Sequence, residues 1–164
     1  MQTPSIAFRL TPERRELQLR QFNARKEILW FRFRGDFEES GSAVIRFARL
    51  DAGAQGGGGT AAINGGVIAA GFDAAFVLAG LGHYDTEVVV TLELSVKFLS
   101  LALASESLAF RAQVVRSAKA FAFAEGFLSD AATPSAAPFA IATALVAPAR
   151  LSDESTPLRK GINA

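Results

Sequence analysis

The sequence predicts an α+β domain in which an antiparallel sheet wraps around one long central helix. Three observations carry that expectation. Val67 to Gly82 is apolar on every face apart from Asp73, the pattern of a buried helix rather than an amphipathic surface one. Four strand-like stretches follow, at Glu87 to Leu99, Glu106 to Arg116, Phe121 to Ser129 and Phe139 to Val146. Their separators are turn-like, notably Ser117-Ala118-Lys119 and the proline-bearing Asp130 to Pro138. Connections this short join antiparallel neighbours and leave no room for a crossover helix, so the strands are expected to form a meander.

Upstream, Thr11-Pro12-Glu13 offers a capping residue followed by proline at the first helical position, predicting a helix to about Glu27. Ile28 to Phe33 then alternates, with Phe31 and Phe33 on one face and Trp30, Arg32 and Arg34 on the other, which reads as a strand. A polar turn from Gly35 to Gly41 and the segment Ala43 to Leu50 complete a hairpin. Asp51 to Thr60 holds five glycines and no large side chain, which predicts a flexible loop. It contains neither G-x-G-x-x-G nor G-x-x-x-x-G-K-[ST], so no nucleotide cradle is read there. The chain thus divides into an N-terminal helical segment (1–27), a main domain (28–149) and a polar, loose tail (150–164).

Composition narrows the chemistry. Seventeen Lys and Arg against sixteen Asp and Glu give no global field to attract nucleic acid or an anionic membrane. A local excess, eight basic residues against three Glu between Arg9 and Arg34, reads as a solvated helix face or a phosphate-contacting surface. The absence of cysteine removes disulfides, thiol nucleophiles and thiolate metal sites. With one histidine, His83, no histidine-rich metal centre forms, and no metal is expected. His83 follows Gly82 at the helix end, where a capping or solvent-facing role is expected. The start, Met-Gln-Thr-Pro-Ser, lacks a basic patch followed by an apolar run, and the longest apolar run falls short of the ~20 residues of a membrane span. A cytoplasmic protein is expected. Asp73 remains as the anomaly, because a lone carboxylate among apolar residues is costly to desolvate and points to chemistry.

The order of elements and three motifs resemble the acyl-CoA thioesterases of the hot-dog fold, of the phenylacetate-degradation type. In that family the helix begins His-Gly-Gly and carries an aspartate nine residues after the histidine; here Asn64-Gly65-Gly66 is followed at that spacing by Asp73. Val90 to Leu99 (VTLELSVKFL) and Val114 to Lys119 (VVRSAK) also look familial. The resemblance spans roughly Ile28 to Val146. The sequence departs from the family at Asn64, where histidine is usual, and at Gly58, where several members carry an asparagine that helps place the thioester or water.

The resemblance implies hydrolysis of an acyl- or aryl-CoA thioester to free acid and CoA, with no cofactor beyond the CoA of the substrate. Such hydrolysis needs a donor for the developing oxyanion and a base or nucleophile. Gly65 and Gly66 can supply main-chain amides, since first-turn N–H groups lack internal partners and glycine permits close approach. Asn64 can add a side-chain amide. Asp73 can act as base or nucleophile, because apolar surroundings make an ionised carboxylate more basic. The CoA phosphates would want cations, for which Lys97, Arg116 and Lys119 stand at family positions, and Phe72 and Phe76 could line an acyl pocket. Asp73 lies eight residues past Gly65, about 12 Å by helical rise, too far to act on one carbonyl. One site is therefore expected to draw on two subunits, in agreement with the dimers of the family, and a homodimer or homotetramer is expected. The alternative from another class is a degenerate member that binds acyl-CoA or a partner without turnover. A hot-dog dehydratase is the weaker third reading, since His83 is misplaced for the histidine those enzymes use.

Overall fold

The computed structural model describes residues 6–38, 41–56, 59–133 and 135–149; the tail expected to be loose, 150–164, lies outside them. Helix α1 spans Pro12–Asn23 and starts as its sequence implies, with the Thr11 hydroxyl accepting the Arg14 N–H at 3.3 Å. It ends short of Glu27. A second helix, α2 (Lys26–Trp30), occupies the stretch expected to open a strand, and strand β1 begins only at Phe33, running Phe33–Glu38. Between them Arg32 adopts a φ of 57°, and Phe31 stacks on Phe33 with ring centroids 5.3 Å apart. The aromatic alternation that imitates a strand therefore comes from a helix end folding back on the strand after it. The expected turn from Gly35 to Gly41 is largely β1 itself, and β2 (Ser42–Phe47) pairs back on it antiparallel. Gly41, with a φ of 86°, admits the backbone of Ile6 so closely that a Cβ would lie 2.9 Å from its carbonyl oxygen.

The first part of the glycine-rich loop, up to Gln55, is more ordered than its composition suggests. Ala52–Ala54 forms a turn of 3-10 helix, and Gln55 bridges to Ile63, tethering the segment next to the long helix.

That helix, α3, spans Gly65–Leu81. Strands β3 (Val88–Phe98), β4 (Leu108–Ser117), β5 (Ala122–Asp130) and β6 (Ala140–Ala149) follow, each within three residues of its predicted limits. All six strands form one antiparallel sheet in the order β1-β2-β4-β5-β6-β3. The simple meander is corrected: β4, β5 and β6 are successive neighbours, but β3 pairs with β6 at the far edge. Residues 99–107 carry the chain past two strands, which is about 14 Å at normal strand spacing and well within the reach of an extended segment of that length. A short connection limits distance, and it leaves the choice of neighbour to tertiary packing.

The sheet curls around α3 through a dense aromatic core. Phe72 and Phe110 meet edge to face at 5.3 Å, and Phe110 also contacts Phe33 and Phe47 at 6.0 Å. Gly71 lets the helix settle onto this ring: a Cβ there would stand 2.6 Å from Phe110 Cε1. Phe22 of α1 and Ile28 of α2, 1% and 3% exposed, join the same core. Half of the basic residues counted between Arg9 and Arg34 have partners within the chain. Arg14 pairs with Asp85 (2.7 Å), Arg20 with Glu16 (2.7 Å) and Arg32 with Asp51 (2.9 Å), and Arg25 donates to the Glu87 carbonyl (2.9 Å). Among the described residues no helix is long and apolar enough to cross a membrane.

Candidate functional site

The N-terminus of α3 is open to solvent. Asn64 takes extended backbone angles and serves as N-cap, its Oδ1 accepting the Gly66 N–H at 2.8 Å. The cap thus turns the side-chain carbonyl oxygen of Asn64 to the helix it starts, and leaves the Nδ2 amide as the part of the side chain that can face a substrate. It also divides the two glycine amides, because Gly66 already has a partner, whereas Gly65 makes no hydrogen bond through its N–H in any turn or cap described here. Asn64, Gly65 and Gly66 are all exposed, so a carbonyl oxygen can reach the Gly65 amide at the positive end of the helix dipole.

Asp73 stands two turns further on. The expectation that it is buried all round is corrected, for Asp73 shares a half-buried stripe with Ala69, Ala70 and Val77, while Ile68, Phe72, Ala75, Phe76 and Ala79 face the sheet. An all-apolar helix is covered on every side only where something packs against each face, and within one chain the sheet covers a single side. Among the described residues no cation pairs with Asp73 and no group donates to it. A structural carboxylate held by arginine is thereby disfavoured.

The remaining expected residues fall elsewhere. Phe72 and Phe76 are fully buried, stacked 6.1 Å apart in the core, and line no opening; their place on the sheet-facing side of α3 gives them to packing. Lys97, Arg116 and Lys119 are exposed but not gathered. Lys97 pairs with Ile141 and Arg116 with Phe123, both residues of the outer face. Following the register across the sheet, Arg116 lies level with Glu93, so it sits roughly 20 Å from Lys97 by strand rise and spacing. Gly58 lies outside the described residues.

Two residues near the helix were not foreseen. Thr91 of β3 pairs with the fully buried Val146, so it faces α3, and its Oγ1 is buried without a hydrogen-bond partner. Phe98, the last residue of β3, pairs with buried Ala140 and places Cζ 3.5 Å from where a Gly65 Cβ would be. A threonine between Val90 and Leu92 in an otherwise apolar run was the legible signal for the first; nothing local marked the second.

His83 is also corrected. Only 4% exposed, it lies under Phe8 with ring centroids 5.6 Å apart, and neither ring nitrogen has a partner. Burial, with Arg9 adding its positive charge, pushes its pKa down from 6.5 to about 4. The N-terminal segment causes this by lying across the helix end, where Arg9 and Leu10 donate to the Gly82 carbonyl at 3.1 and 3.2 Å. Among the described residues no three His, Cys, Asp or Glu side chains gather to hold a metal ion.

A six-stranded antiparallel sheet wrapped around one long helix is the hot-dog fold. Residues 61–135, from the approach to α3 to the end of β5, match the family model of the thioesterase superfamily. Solved structures with this fold include a thioesterase family protein from Silicibacter pomeroyi, 22% identical over 81% of this chain and 96% of that one, with a TM-score of 0.69. A mutant thioesterase from Pseudomonas aeruginosa is 17% identical over 87% and 97% (TM-score 0.70). The PaaI protein from the phenylacetic acid degradation operon of E. coli is 16% identical over 83% and 94% (TM-score 0.68). At these identities the likeness shows the fold. No curated protein matches the sequence.

Proposed function

We propose that the protein is an acyl-CoA thioesterase whose site forms between two copies of the chain. The observation that carries this reading is the pairing, on one helix, of an exposed glycine amide at the N-terminus with a carboxylate that no cation neutralises among the described residues. The thioesterase superfamily match over 61–135 includes both groups. In this mechanism the Gly65 N–H receives the thioester oxygen as it becomes an oxyanion. Asp73 takes a proton from water as that water attacks the carbonyl carbon; collapse breaks the C–S bond, and the proton passes to the departing CoA thiolate, giving acid and thiol. Thiols ionise near ~8.5, so the leaving group needs little help.

The edge of the sheet supports the dimer. Strand β3 is eleven residues long, contains no proline, and leaves one side unpaired, with Leu92 60% exposed on it. Such an edge invites pairing. Gly65 lies beside Phe98, and Gly80 beside Val89, so α3 runs antiparallel to β3. In this reading an antiparallel β3–β3 pairing about a twofold axis near Val96, toward the Phe98 end of the strand, sets the start of one α3 against the middle of the other, where the second Asp73 stands. Dimers pairing into tetramers, and a cytoplasmic setting, go with this reading. Of the three cations proposed for the CoA phosphates, Lys97 is the nearest in sequence to Phe98, although it faces the outer side of the sheet.

A second reading, binding without turnover, is favoured by one observation: Asn64 occupies the Gly66 amide, leaving a single donor. A panel of acyl-CoA esters with thiol-release detection decides. Turnover supports the enzyme, whereas thermal stabilisation by an ester with no thiol released supports the binder.

A further inference from the structure

The β3–β4 connection shows an unusual surface. Phe98, Leu99, Leu101 and Leu103 are 56%, 55%, 71% and 62% exposed, four large apolar side chains within six residues. Two observations tie this surface to the start of α3. The Phe98 ring reaches to 3.5 Å from the Cβ position of Gly65. The connection is also fastened to the segment entering the helix, since Ile63 N–H donates to the Ala102 carbonyl at 2.8 Å and Ala104 N–H to the Ala61 carbonyl at 2.7 Å. Its other end is fixed by Leu99 N–H, which donates to the Phe139 carbonyl at 2.9 Å. The shelf is therefore held in place rather than free to fold away. No charged residue occurs from Phe98 to Ser105, and the flanking Lys97 faces the opposite side of the sheet.

Resting on the thioesterase reading above, we propose that Phe98 and the apolar shelf after it select the acyl group, and that the substrates are CoA esters of uncharged, apolar acyl or aryl groups. The geometry gives the reason. A thioester oxygen hydrogen-bonded to the Gly65 N–H at about 2.9 Å puts the first acyl carbons about 4 Å from that nitrogen, within contact of the Phe98 ring. Each further methylene then runs along the leucines, and a terminal carboxylate would have to be desolvated with no cation to meet it. This corrects the assignment of an acyl pocket to Phe72 and Phe76, whose side chains the core already fills.

The test compares kcat/KM for acetyl-, butanoyl-, hexanoyl-, phenylacetyl- and succinyl-CoA in the wild type, Phe98→Ala and Leu103→Ala. Burying a methylene is worth a factor of about three to four, so hexanoyl-CoA is expected to exceed acetyl-CoA by tenfold or more, and succinyl-CoA to fall below butanoyl-CoA. Phe98→Ala should reduce the hexanoyl-to-acetyl and phenylacetyl-to-acetyl ratios about tenfold, and Leu103→Ala should reduce the hexanoyl ratio alone. If the wild type releases no thiol from any ester, the thioesterase reading fails. If it turns over esters but Phe98→Ala leaves the ratios unchanged, the shelf has no part in selection. Light scattering on each variant closes the remaining route, since a ratio that changes only because the protein has become monomeric would make a second copy the occupant of the shelf and overturn the proposal.

Discussion

Replacing Asn64 with aspartate separates the stability of α3 from the chemistry at its N-terminus. Asn64 Oδ1 accepts the Gly66 N–H at 2.8 Å, and a carboxylate oxygen can take the same place. A negative charge at a helix N-terminus adds about 0.3–1 kcal/mol, so Asn64→Asp should unfold at the same or higher denaturant concentration. Turnover should move the other way. An oxyanion bound to the Gly65 amide would lie about 5 Å from the new carboxylate, and two unit charges at that distance repel by about 3 kcal/mol at an effective dielectric of ~20. That corresponds to a loss of about a hundredfold or more in kcat/KM. Asn64→Ala supplies the contrast: losing the cap costs about 1 kcal/mol, yet it adds no charge and frees the Gly66 N–H, so its rate should hold or rise. Thiol-release kinetics and urea unfolding on the same preparations read both quantities. Unchanged kcat/KM in Asn64→Asp would show that no negative charge develops at the start of α3, and the placement of the oxyanion there would be wrong.

Asp73→Asn keeps the shape and removes the base, so kcat should fall by about a hundredfold or more with little change in Tm, since among the described residues nothing pairs with that carboxylate; turnover within a few-fold of wild type would remove it from the mechanism. Mixed dimers of Asn64→Asp and Asp73→Asn chains should recover about half of the wild-type activity, because one of two shared sites collects both lesions and the other none; mixed dimers as inactive as their parents would place the site within one chain. His83 titrates at about 4 when folded against 6.5 when unfolded. Protons therefore bind the unfolded state first as pH falls, and stability should drop by about 1.4 kcal/mol per pH unit between those limits. His83→Phe should flatten that slope in Tm measured against pH. Gly71→Ala drives a methyl group into the fixed Phe110 ring; overpacking of about 1–3 kcal/mol should outweigh the helix-propensity gain of about 1 kcal/mol, and a Tm at or above wild type would refute that packing.

Local physics makes much of this molecule legible in its sequence. Thr11 and Pro12 set the start of α1, Asn64-Gly65-Gly66 set the start of α3, and the limits of β3 to β6 follow from apolar runs bounded by turn residues, because caps, turns and strand patterns depend on neighbours a few residues away. The spacing of Gly65 and Asp73 is likewise fixed by helical rise. Tertiary structure decided whatever depends on residues distant along the chain. Phe31 and Phe33 alternate like a strand, but burial of Ile28 in the core makes the preceding residues helical. The partner of β3 is β6 rather than β4, since a nine-residue connection reaches either. The same distinction governs the site. Burial of Phe72 and Phe76, the half-buried stripe that holds Asp73, and the contact of Phe98 with Gly65 all depend on which side of α3 the sheet covers. Side-chain periodicity names the residues on each face of a helix, and only packing determines which face is left open.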